Sequence, residues 1–298
     1  MIDAMPRPRL LLALTSGLVL AGCSASGPGI RTAPPAPLRE PASITEWESL
    51  VRPDGLHMLA TAIALLGADD GKGSCPRVER SGSVTTLTGD CSDASGKRHE
   101  GRARVVTHGN VTRVRLDDYD DAEVRATGRV RLVSEPQPRF AMDLRLEPGL
   151  QLDDSAPAPA WTALDVEGYR DTEGWHALGT LAAEGRGSVR MRARGIELGK
   201  ACPHEPLRGT VELWSGEHQV RIDYDGATDC DPEGTARWSL DGVAQGELEG
   251  IAGNMGCEAS EDGGEVPVSG AMLLLLGIRR RRRRPADRRA PEPTDRAC

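Results

Sequence analysis

Residues 123–148 read EVRATGRVRLVSEPQPRFAMDLRLEP, and their spacing decides the fold class. In the second half, Phe140, Met142, Leu144 and Leu146 alternate with Ala141, Asp143, Arg145 and Glu147. In the first half, Val124, Ala126, Val130 and Leu132 alternate with Glu123, Arg125, Thr127, Arg129 and Arg131. Successive side chains of a strand point to opposite faces, so a period of two gives each segment one apolar and one polar face. That is the pattern of antiparallel sheet with one face covered and the other wet.

The same period recurs further along the chain. In SVRMRAR (188–194), Val189, Met191 and Ala193 alternate with Arg190, Arg192 and Arg194. The apolar parity then moves to Ile196 and Leu198 across Gly195, which predicts a bulge or bend. TVELWSGEHQVRIDY (210–224) reads as a hairpin with Ser215-Gly216 at its tip and Val211, Leu213, Val220 and Ile222 facing inward. Gly- and Asp-rich turns recur without βαβ spacing. The expected architecture is all-β: an antiparallel meander, as a sandwich or an open barrel, over residues 44–257, with a possible seam near 147–161.

One segment breaks the pattern. In SITEWESLVRPDGLHMLATAIALLGADDGKG (43–73), Ser43 or Thr45 can cap a first helical turn that ends before Pro53. Asp54 can cap a second helix reaching Leu66, with Gly67 as its stop. Leu56, Leu59, Ile63 and Leu66 share a face that Met58 and Leu65 widen. This N-terminal helical segment should pack across the sheet.

The first 22 residues carry arginines at 7 and 9, an apolar run from Leu10 to Ala21, and then small residues, the pattern of a secretory signal. The run ends Leu20-Ala21-Gly22-Cys23, which resembles the lipobox of bacterial lipoproteins. The resemblance implies cleavage before Cys23 and lipidation of its thiol, with membrane attachment through the acyl chains. Ser24 after the cysteine then implies the outer membrane or cell surface. Residues 23–43, rich in Pro, Ala, Ser and Gly, read as a flexible lipidated linker.

Seven cysteines in an exported chain point to disulfides. Two segments share a frame, Cys-Pro followed by a predicted hairpin and then Asp-Cys. Cys75 with Cys91, and Cys202 with Cys230, would each clasp a hairpin at its open end; Cys230 with Cys257 is the alternative to the second. The cysteines lack the CxxC spacing of a zinc site. The six histidines form no HExxH, and GADDGKGS (67–74) lacks both the spacing and the hydroxyl of a phosphate loop. Acidic stretches at 117–123 and 223–234 do not match the spacing of an EF-hand. No catalytic residue, metal ligand or cofactor is expected.

The formal charge is −8, yet residues 279–298 hold nine arginines against three acids. The part between the basic ends is strongly acidic, which disfavours nucleic acid as a partner. If the strands pair in sequence order, Arg102, Arg104, Arg113, Arg115, Arg125, Arg129, Arg131 and Arg145 fall opposite the apolar face. They would form a basic band interleaved with Glu100, Asp117, Glu123, Asp143 and Glu147. Solvated salt pairs are one expectation for that band. The other is a polyanion site centred on Arg113, Arg115, Arg129 and Arg131, taking an acidic polysaccharide or a lipid head group.

Residues 258–298 contain an acidic and glycine-rich spacer, a short apolar run and six consecutive arginines. With Cys257 they resemble, over 256–284, a shortened myxobacterial C-terminal sorting signal. That resemblance implies a stop signal in which the arginines stay on the cytoplasmic side. The expected protein is an exported, lipid-anchored envelope protein with a structural or binding role and no enzymatic mechanism.

Overall fold

The computed structural model of the protein describes residues 30, 32–68, 75–121, 123–150, 158–199, 206–224, 226 and 236–248. The signal segment with Cys23, the Cys202–Cys230 clasp, Cys257, and the apolar run with its arginine block lie outside these residues.

Two helices come first, α1 (Pro41–Val51) and α2 (Pro53–Ala64), followed by a 3-10 turn over Leu65–Ala68. Both helices begin at a proline. Proline suits the first helical position because its missing N–H would find no acceptor there and its φ is already helical. For that reason α2 starts at Pro53, and Asp54, the expected cap, sits in its first turn near the positive end of the helix dipole.

The sheet then runs through β1 (Arg77–Ser81), β2 (Val84–Thr88), the two-residue β3 (Cys91–Ser92), β4 (Arg98–His108), β5 (Val111–Asp120), β6 (Arg125–Val133) and β7 (Arg139–Glu147). It continues through β8 (Thr162–Asp171), β9 (Gly174–Ala183), β10 (Gly187–Leu198), β11 (Pro206–Ser215), β12 (His218–Tyr224), β13 (Ala236–Leu240) and β14 (Val243–Leu248). Strand order follows chain order, except that β3 pairs only with β4. Every pairing between these strands is antiparallel. The chain is therefore an all-β meander in one continuous, unclosed sheet with a helical segment at its start.

The alternating residues sort as their spacing predicts. Val130, Leu132, Phe140, Met142, Leu144, Val189, Met191, Val211, Leu213, Val220 and Ile222 are all buried on the covered face. The parity change occurs at Gly195, whose φ of +61° lies in the left-handed region, and the register shifts there on both sides of β10. Helix α2 crosses strands β5 to β9 and buries Leu56, Leu59 and Ile63 against them. Each such side chain contributes roughly 1.5–3 kcal/mol on leaving water. Met58 and Leu65, expected to widen this face, are 40% and 52% exposed. They lie beyond the arc that a helix can press on one sheet surface.

His57 packs between α2 and the sheet, 4.7 Å from the Trp175 ring and 6.2 Å from Phe140. Burial lowers its pKa. Phe140 fits flat against the sheet because its strand neighbour is Gly168, where a Cβ would come within 2.5 Å of the ring.

Residues 34–40, read from sequence as part of a flexible linker, are docked. The Ser188 amide donates to the Pro34 carbonyl at 2.7 Å, the Ala36 amide to Ser188 O at 3.0 Å, and Ser215 Oγ to Ala36 O at 2.6 Å. Leu38 is fully buried. Proline lacks a donor but keeps its carbonyl, so a Pro-rich strand can still be held by an edge that donates to it.

The first clasp is formed: Cys75 and Cys91 are joined across 16 positions, their Cα atoms 5.7 Å apart. The link holds the entry of β1 against β3 and closes the open end of the β1–β2 hairpin.

Candidate functional site

The outer face of the sheet carries the arginines, and the register shows which of them meet. Arg113 of β5 lies directly opposite Arg131 of β6, and Arg115 opposite Arg129. Arg104 of β4 faces Arg115 on its other side. All five are exposed. Like charges directly across an antiparallel pair repel, so these pairings oppose sheet formation rather than support it.

The carboxylates expected to interleave with them gather toward one end of the face. There Arg125 bonds Glu100 and Asp120, Lys97 bonds Glu123, and Arg145 bonds Glu147 at 2.7 Å. Arg115 reaches Asp117 at 2.9 Å. Asp143 stands across from Arg129 in the register. Among the described residues Arg104, Arg113, Arg129 and Arg131 make no ion pair. The band thus divides into a neutralised end and a basic end.

The basic end runs into a cleft. A single cross-strand row passes from Arg113 through Arg131, Ala141, Glu167 and Leu178 to Arg192. From Arg131 to Arg192 it crosses four strand spacings, about 19 Å. Over this row opens a cleft of about 610 Å³, lined also by Arg139, Tyr169, His176 and Arg194. The small side chain of Ala141, which lies in the row between Arg131 and Glu167, leaves room in its floor. Beyond Arg192 the row meets Glu212 and then Arg221, which is paired with Asp223.

Two rings stand at one side of the cleft. Tyr169 of β8 and His176 of β9 are register partners and stack, their centroids 4.8 Å apart at 12°. His176 Nε2 lies 3.1 Å from Asp171 Oδ1. The Glu173 amide donates to the same carboxylate, and this bond foremost holds Asp171 below the usual carboxylate range; His176 adds to it. The stack is therefore anchored from beneath by the β8–β9 turn. Arg192 also lies 5.7 Å from the Trp214 ring, a cation–π contact that orders its side chain.

Of the four arginines expected to bind, the structure brings all together on one face, and Arg131 alone lines the cleft. Arg139, Arg192, Arg194, Tyr169 and His176 were not singled out from sequence as members of this site. The outward parity of Arg192 and Arg194 was legible in SVRMRAR, but their neighbours were not.

The arrangement offers fixed cations, one exposed carboxylate and a flat aromatic pair. Among the described residues there is no cluster of three metal-ligating side chains. No helix there is long and apolar enough to cross a membrane. The chain matches no family model, no curated protein and no solved structure.

Proposed function

We propose that the protein is an exported, lipid-anchored component of the cell envelope that acts by binding rather than catalysis, holding a polyanion on the basic end of its outer sheet face. One observation carries this reading: Arg113 faces Arg131 and Arg115 faces Arg129, and among the described residues only Arg115 of this quartet has a carboxylate partner. A multivalent anion would turn a repulsive pairing into a bridged one. The signal-like start and the Leu20-Ala21-Gly22-Cys23 sequence support placement at the outer membrane or cell surface through Cys23.

Replacing Arg113, Arg115, Arg129 and Arg131 together by Gln should weaken salt-sensitive retention on an immobilised acidic polysaccharide. Screening shortens the reach of exposed charges to about 8 Å at physiological ionic strength, so retention should fall as salt rises. Elution of the unaltered protein in the void volume at low salt would overturn the reading. Equal retention of the quadruple variant would also overturn it, by placing the binding outside this quartet.

A further inference from the structure

We infer that the cleft beside the arginine quartet is a subsite for a carboxylated polysaccharide, a polyuronate-like chain that crosses the strands along the row from Arg131 to Arg192. The inference rests on the polyanion reading and narrows it to one chemical class. Three features of the cleft select that class.

The first is Glu167. It is exposed in the middle of the row, with Arg131 on one side and Arg192 on the other. Among the described residues it makes no ion pair. A polyphosphate or a dense sulfate ester would bring negative charge against this carboxylate. A sugar chain instead presents hydroxyl donors between its acid groups, and Glu167 can accept from them while the arginines take the acids.

The second is the Tyr169–His176 stack. Tyr169 is 43% exposed although one ring face is covered by His176. A rigid ring immobilised in this way offers contact area at little entropic cost, and the C–H face of a pyranose packs on it. Leu178, 51% exposed in the same row, extends the apolar strip. A phosphate head group has no use for either surface.

The third is spacing. The cations stand in two groups, Arg131 and Arg139 on β6 and β7 and Arg192 and Arg194 on β10, with Glu167 and the apolar strip between them and Arg131 about 19 Å from Arg192. A chain of repeating units can reach both groups at once, whereas a single head group reaches one. Engagement of both is effectively intramolecular after the first and raises affinity accordingly.

The test uses the full-length chain carrying Cys23→Ser, so that an acyl anchor does not enter the comparison. Binding is measured to soluble polyuronate, to dextran sulfate, to long-chain polyphosphate and to vesicles containing anionic phospholipid. Polyuronate should bind most tightly. Tyr169→Ala, and Arg192→Gln with Arg194→Gln, should each lower its affinity about tenfold, with Tyr169→Phe restoring most of the loss at the first site. Glu167→Gln should weaken polyuronate but strengthen dextran sulfate and polyphosphate. If polyphosphate or vesicles bind as tightly as polyuronate and Tyr169→Ala changes nothing, the carbohydrate assignment is overturned while the polyanion reading stands. If none of the four ligands binds, both fall.

Discussion

Tyr224 Oη donates a hydrogen bond to Glu48 Oε1, joining the last residue of β12 to α1 across 176 positions of chain. Glu48 is fully buried, and its second oxygen has no hydrogen-bond partner among the described residues. Arg52, itself buried, stands nearby and is bridged to Asp54 at 3.1 Å. Burial raises the Glu48 carboxyl to about 7, against the opposing pull of Arg52 and of the Tyr224 hydrogen bond. Burial likewise raises the Tyr224 phenol well above its ordinary value, and the adjacent carboxyl adds to this. The helical segment is thus fastened to the sheet by a carboxyl that is neutral in mild acid.

This pair makes stability depend on pH. Between about 4.5 and 7 the folded chain holds a proton on Glu48 that the unfolded chain has lost, so stability falls as pH rises through that window. The loss attributable to Glu48 is about 3 kcal/mol, fully present at pH 8. Asp121, raised by burial, acts in the same direction, and His57, lowered by burial, acts oppositely. The difference between the wild type and Glu48→Gln isolates the group. Urea unfolding at pH 5 and pH 8 should show a smaller decline in the variant by about that amount. Identical declines would mean that Glu48 does not titrate in this range.

Loss of the Cys75–Cys91 link should destabilise the β1–β2 end by roughly 3 kcal/mol, the chain-entropy value for a loop of this size. Non-reducing peptide mapping should recover this pair and, if the repeated Cys-Pro to Asp-Cys frame is significant, Cys202 with Cys230. A Cys230–Cys257 peptide would mean that the two frames are not equivalent.

Lipidation is expected at Cys23. Metabolic labelling with a fatty acid should mark the unaltered chain and leave Cys23→Ser unmarked. Persistent label in the variant would place the anchor elsewhere.

The C-terminal arginines should be removed during export. The 13-residue, largely apolar stretch from Val266 to Ile278 spans about 20 Å as a helix, against a hydrocarbon core of roughly 30 Å. Such a run can pause translocation, with the arginines held on the cytoplasmic side, but cannot span a membrane of ordinary thickness. Intact-mass measurement of envelope-derived protein should place the new end between Cys257 and Arg279. A chain still ending at Cys298 would show that the block is retained.

Much of the architecture is written in local spacing. The strands around Val130, Met142, Met191 and Val220, their inward faces and the bulge at Gly195 follow from a period of two and its interruption. The residues concerned are neighbours in sequence, and the pleat alone sets their faces. The pairing of Cys75 with Cys91 was legible for a similar reason, since both ends belong to one hairpin. Relationships that accumulate over several strands were not legible. Arg131 and Arg192 share a row only because four successive registers happen to add up that way, and a shift of one residue in any of them would break it. The docking of residues 34–40 on β10, and the meeting of Glu48 with Tyr224, likewise depend on where the helical segment lands on the sheet. The sequence by itself determined which face each strand turns to water. The tertiary structure alone decided which charges meet on that face, because register is a property of pairs of strands and neither strand carries it alone.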